Sequence, residues 1–253
     1  MNWDLLMGPL PVLALLTGLC MGLMGSGGSL LTVPIFMHIF HLNSKLAVMA
    51  SLAVVGINAV FGSILNIKDK HIDWTAALSF IPGSMLGTYL GARMGLVMSQ
   101  TMQVNIFVAI VFFAAYKMFR ANSGSSVNLQ GPHKIATSFF YSMVIGLLTG
   151  VLGVGGGFLI VPALVLLVGL EHKHAVGTSL FIICFNAFLG FWVYQKSLNL
   201  QNHQQLIVYF SIIAMLGVFI GHATMKKLPL KTFRFIFAFA LVFLGAWMLI
   251  KNL

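Results

Sequence analysis

The 253-residue chain is 59% hydrophobic and only 7% charged, and its formal net charge is +10. A soluble globular domain carries about 25% charged residues, so this composition excludes a water-soluble protein and predicts an integral membrane protein. We expect the basic residues to orient the protein and to contact anionic lipid head groups of the bilayer. No nucleic acid partner is expected.

Long apolar runs recur along the chain, most of them close to the ~20 residues that a membrane-spanning helix needs. The alternating pattern of a membrane β-barrel is absent, so the sequence predicts an all-α integral membrane protein. The N-terminal stretch lacks the basic region and cleavage pattern of a signal peptide and is predicted to be the first membrane segment. The predicted segments are 9–24, 29–41, 46–66, 75–94 and 102–119, then 137–152, 157–170, 174–195, 205–224 and 232–250.

The first five segments and the last five are copies of one unit. Residues 18–34 (GLCMGLMGSGGSLLTVP) and 146–162 (GLLTGVLGVGGGFLIVP) are identical at nine of 17 positions, and at the same offset 45–62 matches 173–190 at eight of 18. The sequence therefore predicts a single transporter domain made of two membrane repeats, 1–120 and 135–253. The polar, Gly/Ser-rich segment 121–134 between them is predicted to be a flexible cytoplasmic linker.

The basic residues distinguish two arrangements of these repeats. If 9–41 and 137–170 are each one long helix, the repeats are parallel and each membrane face carries seven of the 14 Lys and Arg residues. If the glycine runs turn the chain back, the face with both termini carries four of the 14, namely Lys45, Arg93, Lys196 and Lys251, and the opposite face carries the other ten. The second arrangement satisfies the positive-inside rule.

We therefore expect two inverted repeats, each with three spanning helices and one Gly-interrupted re-entrant helical hairpin. The protein is predicted to be multi-pass in the cell membrane (the inner membrane of a Gram-negative bacterium), with both termini outside the cytoplasm. Two parallel four-helix repeats remain the alternative.

Each repeat contains a glycine-rich run that interrupts its first apolar segment. Interior glycines weaken a helix by roughly 0.8–1 kcal/mol each, and broken backbone at membrane depth occurs only where protein or a water-filled cavity satisfies it. The free N–H groups and helix dipole at such a break favour a small anion, although close helix packing also explains small residues. The predicted substrate-binding residues here are Gly25, Ser26, Gly27, Gly28 and Ser29, and Gly153, Gly155, Gly156 and Gly157.

Polar side chains inside the apolar segments are further candidates. Asn58 and Asn186 are repeat counterparts, and a buried amide needs hydrogen-bond partners, so each either contacts the substrate or holds helices together. Ser51, Ser179 and Thr178 lie about two turns earlier and carry hydroxyl donors, whose commoner partner is their own helix.

Two basic residues near segment ends are candidates for a gate or a coupling site. Arg93 is either the cationic gate of an anion path or an anchor at the membrane interface. His222 either titrates or stays neutral and hydrogen-bonded. The only acids, Asp4, Asp69, Asp73 and Glu171, all fall in predicted termini or loops. With no carboxylate inside the membrane, we expect no enzyme, no metal site and no cofactor.

The second glycine run and its surroundings, GLLTGVLGVGGGFLIVPALVLL followed by AVGTSL, resemble the TauE/SafE sulfite exporter family, part of the toluene-sulfonate uptake permease superfamily. The resemblance covers essentially the whole chain. It implies a multi-pass transporter of small sulfur-containing or organic anions, such as sulfite, thiosulfate and sulfonates. The first copy departs from the pattern, with Ser26 and Ser29 in the turn and Met49-Ala50 where the second has Gly177-Thr178, so the halves are expected to contribute unequally.

The expected function is a secondary-type permease for such an anion that works by alternating access. Export is preferred to import, because an inside-negative potential drives anions outward by about 2.3 kcal/mol per charge per 100 mV. The alternatives are an uncoupled anion channel and a membrane-embedded thiol redox protein using Cys20 and Cys184, which form no CxxC motif. The sequence leaves a homo-oligomer open.

Overall fold

The computed structural model describes residues 8–25, 28–120, 134–153, 155, 157–200, 203–225, 242–243 and 246. These residues form helices joined by short turns and contain no β-strand, which confirms the predicted all-α fold. The helices are α1 (Leu10–Met24), α2 (Ser29–His38), α3 (Ser44–Lys68), α4 (Trp74–Val97), α5 (Gln100–Arg120), α6 (Lys134–Leu152), α7 (Gly157–Ala163), α8 (His172–Gln195) and α9 (Gln204–Met225). The last predicted segment, 232–250, lies almost entirely outside the described residues.

Three of the described helices, α3, α8 and α9, are long and apolar enough to cross a membrane. Two helices, α3 and α4, begin after polar residues that satisfy free backbone N–H groups. Asn43 caps α3 by accepting a hydrogen bond from the Leu46 N–H at 2.9 Å, and Asp73 caps α4 by accepting one from the Ala76 N–H at 2.8 Å. These caps fix where the helices start.

The glycine runs end the first helix of each repeat, as predicted. Gly25 ends α1 with φ +77° and Gly153 ends α6 with φ +70°, both in the left-handed region that favours glycine. Their N–H groups donate to the carbonyls of Met21 and Thr149 at 2.8 and 2.9 Å. After the second break, α7 runs into a π-helical turn, Leu164–Val168, where the sequence predicts a continuous helix.

The first helix of each repeat packs against the fourth helix of the other repeat. A Cβ atom placed on Gly18 of α1 would lie 1.9 Å from the Ala214 carbonyl oxygen of α9. At the equivalent contact, a Cβ on Gly146 of α6 would lie 2.0 Å from the Ser84 carbonyl oxygen of α4. Such backbone contact is possible only with small residues, so the duplicated glycines join the two repeats reciprocally.

The centre of the bundle is the pair α3 and α8, which run antiparallel. A Cβ on Gly56 would lie 3.5 Å from Ala187 Cβ, and one on Gly62 would lie 3.0 Å from a Leu180 methyl group. Later residues of α3 therefore contact earlier residues of α8, which shows that the two helices run in opposite directions. The two helices contain the matching stretches 45–62 and 173–190 of the sequence.

Candidate substrate-binding site

The first glycine turn lies against α8 of the other repeat. A Cβ placed on Gly25 would lie 2.6 Å from Ser179 Oγ and 3.1 Å from Val176 Cα. Ser179 is buried, and its hydroxyl donates to the Val176 carbonyl at 2.8 Å. The structure therefore brings two predicted site residues, Gly25 and Ser179, into direct contact across the repeats.

The second glycine turn lies against α3 in the equivalent way. A Cβ on Gly153 would lie 2.5 Å from Val48 Cγ1 and 2.8 Å from Val48 Cα. Ser51 Oγ donates to the Gly153 carbonyl at 2.9 Å and also shares a hydrogen bond with the Thr32 hydroxyl. Ser51 thus joins the returning helix of the first repeat to the turn of the second.

Thr32 is not among the predicted site residues. The signal that identifies it is a hydroxyl inside an apolar segment, three positions after Ser29. Thr32 and Ser29 are both fully buried, and the Thr32 hydroxyl lies 2.7 Å from the Ser29 carbonyl. The polar groups beside the second turn therefore come from both repeats.

The remaining glycines of the runs are close to backbone or to the central helices. A Cβ on Gly28 would lie 1.8 Å from the Thr17 carbonyl oxygen, so the chain returns alongside α1 after the break. Gly155, with φ +64°, would place a Cβ 2.6 Å from Val55 Cγ1 and 3.1 Å from Ile183 Cγ2. Gly157 begins α7. Ser26, Gly27 and Gly156 lie outside the described residues.

The two predicted amides are fully buried but have different partners. Asn58 Nδ2 donates to the Val54 carbonyl at 2.9 Å, within its own helix. Asn186 Oδ1 lies 3.0 Å from the hydroxyl of Ser84 on α4. Thr178, also predicted as a donor, instead accepts a hydrogen bond from the Asp73 N–H at 2.9 Å and holds the turn before α4.

The two predicted gate residues occupy contrasting positions. Arg93 is exposed on α4, where it donates to the Tyr89 hydroxyl at 3.0 Å and lies over the Tyr89 ring. His222 is buried, and its Nε2 lies 3.0 Å from Asp69 Oδ2 at the end of α3. Arg93 is therefore exposed and contacts only its own helix in these two interactions, whereas His222 joins the second repeat to the first.

The His222 contact belongs to a row of imidazoles at one end of the bundle. The His71 ring centre lies 6.3 Å from that of His222 and 5.8 Å from that of His174. Within the described ranges, no group of three or more His, Cys, Asp or Glu side chains is arranged to hold a metal ion. Cys20 and Cys184 are free thiols.

Apolar helices that are interrupted by glycine-rich segments are typical of secondary membrane transporters. The sequence profile of the family described as Sulfite exporter TauE/SafE matches residues 10–248. The chain belongs to this family, which confirms the resemblance seen in the second glycine run.

Similar proteins carry names consistent with that class. A "Probable membrane transporter protein YunE" of Bacillus subtilis (strain 168) is 26% identical over 271 residues, covering 96% of this chain and 97% of that protein. A "Probable membrane transporter protein" of Haemophilus influenzae is 26% identical over 254 residues, covering 93% and 95%. One of Xylella fastidiosa (strain Temecula1) is 27% identical over 173 residues, and the match spans only 66% of its length. No solved structure matches.

Proposed function

We propose that this protein is a secondary-type permease that moves a small sulfur-containing anion, such as sulfite, thiosulfate or an organosulfonate, across the cell membrane. Membership of the sulfite exporter family supports the substrate class. The observation that carries the proposal is the reciprocal packing of the glycine turns: a Cβ on Gly25 would meet Ser179 of α8, and Ser51 of α3 donates a hydrogen bond to the Gly153 carbonyl. That arrangement supports one site shared by both repeats.

In this proposal the anion binds between the two turns. Backbone N–H groups after each break and the dipole of α2 supply positive potential without any charged side chain. The hydroxyls of Ser51 and Ser179 flank the turns, and the amides of Asn58 and Asn186 lie two helical turns further along the central helices. A site of this kind releases its ligand readily, because it holds the anion by dipoles and not by an ion pair.

We further propose that the two repeats are inverted in the membrane and that both termini lie outside the cytoplasm. The antiparallel pairing of α3 with α8 supports this arrangement, since parallel repeats would place these counterparts parallel. The return of the chain at Gly28 alongside α1 supports a re-entrant hairpin. Alternating access then follows from rocking of one repeat against the other around the shared site.

The contact between His222 and Asp69 is the proposed inner gate. It joins α9 to the end of α3, close to Lys68 and Lys70, on the face that the positive-inside rule assigns to the cytoplasm. Opening toward the cytoplasm separates these two groups. Arg93 lies near the opposite face and attracts anions there. Export is the proposed direction, because the membrane potential alone drives it.

Two measurements on the purified protein test the proposal: the melting temperature with added solutes, and the flux of solutes in proteoliposomes. We expect sulfite, thiosulfate or taurine to raise the melting temperature selectively over sulfate and chloride at matched ionic strength. Flux of the stabilising solute should saturate and show counterflow. Absence of any selective shift in folded protein would contradict the anion site, and flux that never saturates would favour the channel alternative.

A further inference from the structure

A group of buried hydrogen bonds joins the two repeats at the end of the bundle opposite the His222–Asp69 contact. Gln103, near the start of α5, donates from Nε2 to the Val151 carbonyl of α6 at 2.6 Å and to the Tyr194 hydroxyl of α8 at 3.4 Å. Both side chains are buried. Since α3 and α8 are antiparallel, the end of α8 that carries Tyr194 lies far from the end of α3 that precedes Asp69.

The Tyr194 hydroxyl extends this group of hydrogen bonds to a second carbonyl. It donates to the Gly150 carbonyl at 3.2 Å, next to Val151 in the last turn of α6. A Cβ placed on Gly95 of α4 would lie 2.1 Å from the Tyr194 oxygen, so the phenol reaches this position only beside a glycine. Carbonyls in the last turn of a helix lack partners within the helix. Here, just before the break at Gly153, two of them are held by side chains of α5 and α8.

The amide of Gln103 is only half satisfied. The Val151 carbonyl can only accept a hydrogen bond, so it fixes the amide nitrogen toward α6. The amide oxygen, Oε1, is buried without a hydrogen-bond partner among the described residues. A buried acceptor without a partner weakens the packing that contains it. Such a contact suits a place that opens and closes, because the oxygen gains water as a partner when the helices separate.

A small cavity lies beside Gln103 and against the second glycine turn. Its volume is about 10 Å³, which is room for about one water molecule. Its lining includes Gln103 of α5, Ser44 and Val48 of α3, and Leu152 of α6. Val48 also contacts the turn, because a Cβ on Gly153 would lie 2.5 Å from its Cγ1. The first turns of α5 therefore cover a space that adjoins the turn.

The position of Tyr194 corresponds to that of the proposed inner gate. Alternating access around one site needs a barrier on each side of that site. At the 128-residue offset between the repeats, Tyr194 corresponds to Asn66 of α3. Asn66 lies three residues before Asp69, which contacts His222. Tyr194 is therefore placed in the second repeat close to where the inner gate is placed in the first.

We propose that Gln103 and Tyr194 form the outer gate of the permease. Their hydrogen bonds to the end of α6 hold the first turns of α5 over the cavity and so separate the second glycine turn from the outer face. When these bonds break, α5 moves away from α6 and the cavity opens to the outside. This inference rests on the proposed permease function and on the proposed inverted arrangement, and it assigns the barrier that a solute crosses on leaving the cell.

The accessibility of a cysteine in the cavity tests the gate. In intact cells, with Cys20 and Cys184 replaced by Ala, Ser44→Cys places a thiol in the cavity lining. Gln103→Leu and Tyr194→Phe each remove hydrogen bonds of the gate and shift the population toward the open state. Each should raise the rate at which a membrane-impermeant methanethiosulfonate modifies that thiol by about two- to tenfold. An unchanged rate in both variants overturns the proposal.

Two controls separate opening of the gate from general loosening of the protein. Gln100→Leu removes an exposed amide one turn earlier on α5 and should leave the rate at Ser44→Cys unchanged. Ser63→Cys, buried on α3 toward the opposite end, should stay unreactive from outside in both gate variants. Equal gains at both thiols, or an equal effect of Gln100→Leu, would overturn the gate. A gain seen only in permeabilised cells would overturn its assignment to the outer face.

The labelling does not depend on transport, so the two proposals fail separately. If Gln103→Leu does not reach the membrane, Tyr194→Phe decides, because it keeps the aromatic ring and removes only the hydroxyl. If the wild-type protein transports no sulfur anion, the proposed substrate class fails and the labelling still decides where the barrier lies. If wild-type transport is normal and neither variant changes the labelling, only the gate fails.

Discussion

At the scale of single residues, the second glycine turn excludes any side chain for two separate reasons. Gly153 has φ +70°, which costs an L-residue about 1–2 kcal/mol, and a Cβ there would lie 2.5 Å from Val48 Cγ1 and 2.8 Å from Val48 Cα. Backbone strain and steric contact act together at this position, so their effects need to be separated.

Gly169 allows that separation. It has φ +77°, but an added Cβ meets nothing within 4 Å. We expect Gly169→Ala to be destabilised only by the cost of its positive φ and to transport at the wild-type rate. Gly153→Ala should be destabilised further, and its flux should fall at least tenfold. Thermal melting in detergent and initial rates in proteoliposomes measure both. Wild-type flux in Gly153→Ala would remove the turn from the substrate site.

Ser51 and Ser179 are counterparts that differ in what their hydroxyls hold. Ser51 donates across the repeats to the Gly153 carbonyl, whereas Ser179 donates within its own helix to Val176. Ser51→Ala leaves a buried carbonyl without this partner, at a cost of about 1–3 kcal/mol, so it should lower the melting temperature and flux more than Ser179→Ala. Equal losses would mean that the contact with the turn adds nothing.

At the scale of helices, two glycines that are far apart in the sequence make the same kind of close contact with the backbone of a helix in the other repeat. Gly18 of α1 and Gly146 of α6 each meet a carbonyl of the other repeat at about the same distance, 1.9 and 2.0 Å from an added Cβ. Gly18→Ala and Gly146→Ala should therefore destabilise the protein alike, by about 1–3 kcal/mol of overpacking.

Gly56→Ala is the control for that pair, because its added Cβ reaches only ordinary contact, 3.5 Å from Ala187. Its melting temperature should stay close to that of the wild type. Sensitivity of only one of Gly18 and Gly146 would contradict the reciprocal packing of the repeats.

The helices and their breaks were predictable from the sequence because both depend on local chemistry. Apolar runs marked α3 and α8 to within two residues at each end, and Gly25 and Gly153 marked the breaks. The π-helical turn Leu164–Val168 was not predictable, since no glycine or proline within it signals a change from the α-helix.

The partners of the site residues were less accessible to sequence reasoning. Ser51 was a candidate, but its contact with Thr32 depends on how α2 returns against α3. Asp69 was predicted in a loop and His222 in a helix, 153 residues apart, and only the packing of α9 on α3 brings them together. Periodicity within one helix does not say which helix lies opposite it.

At the scale of the whole molecule, the insertion of the two repeats decides which loops share a membrane face. Ser99 follows α4, near Arg93, and Ser197 follows α8, next to Lys196, and both are exposed. Inverted repeats place these two serines on one face, outside the cytoplasm. Parallel repeats place them on opposite faces. The membrane face of each serine therefore distinguishes inverted from parallel repeats, and no transport assay is needed.

Single-cysteine labelling makes the distinction in intact cells. With Cys20 and Cys184 first replaced by Ala, we expect both Ser99→Cys and Ser197→Cys to react with a membrane-impermeant maleimide. Lys70→Cys, on the predicted cytoplasmic face, should react only after the cells are permeabilised. Reaction of only one of the two serine variants from outside would contradict inversion, because no rigid rocking of the repeats moves a loop across the bilayer. The repeats would then be parallel, and the two glycine-rich turns would no longer enter the membrane from opposite faces, as the proposed shared site requires.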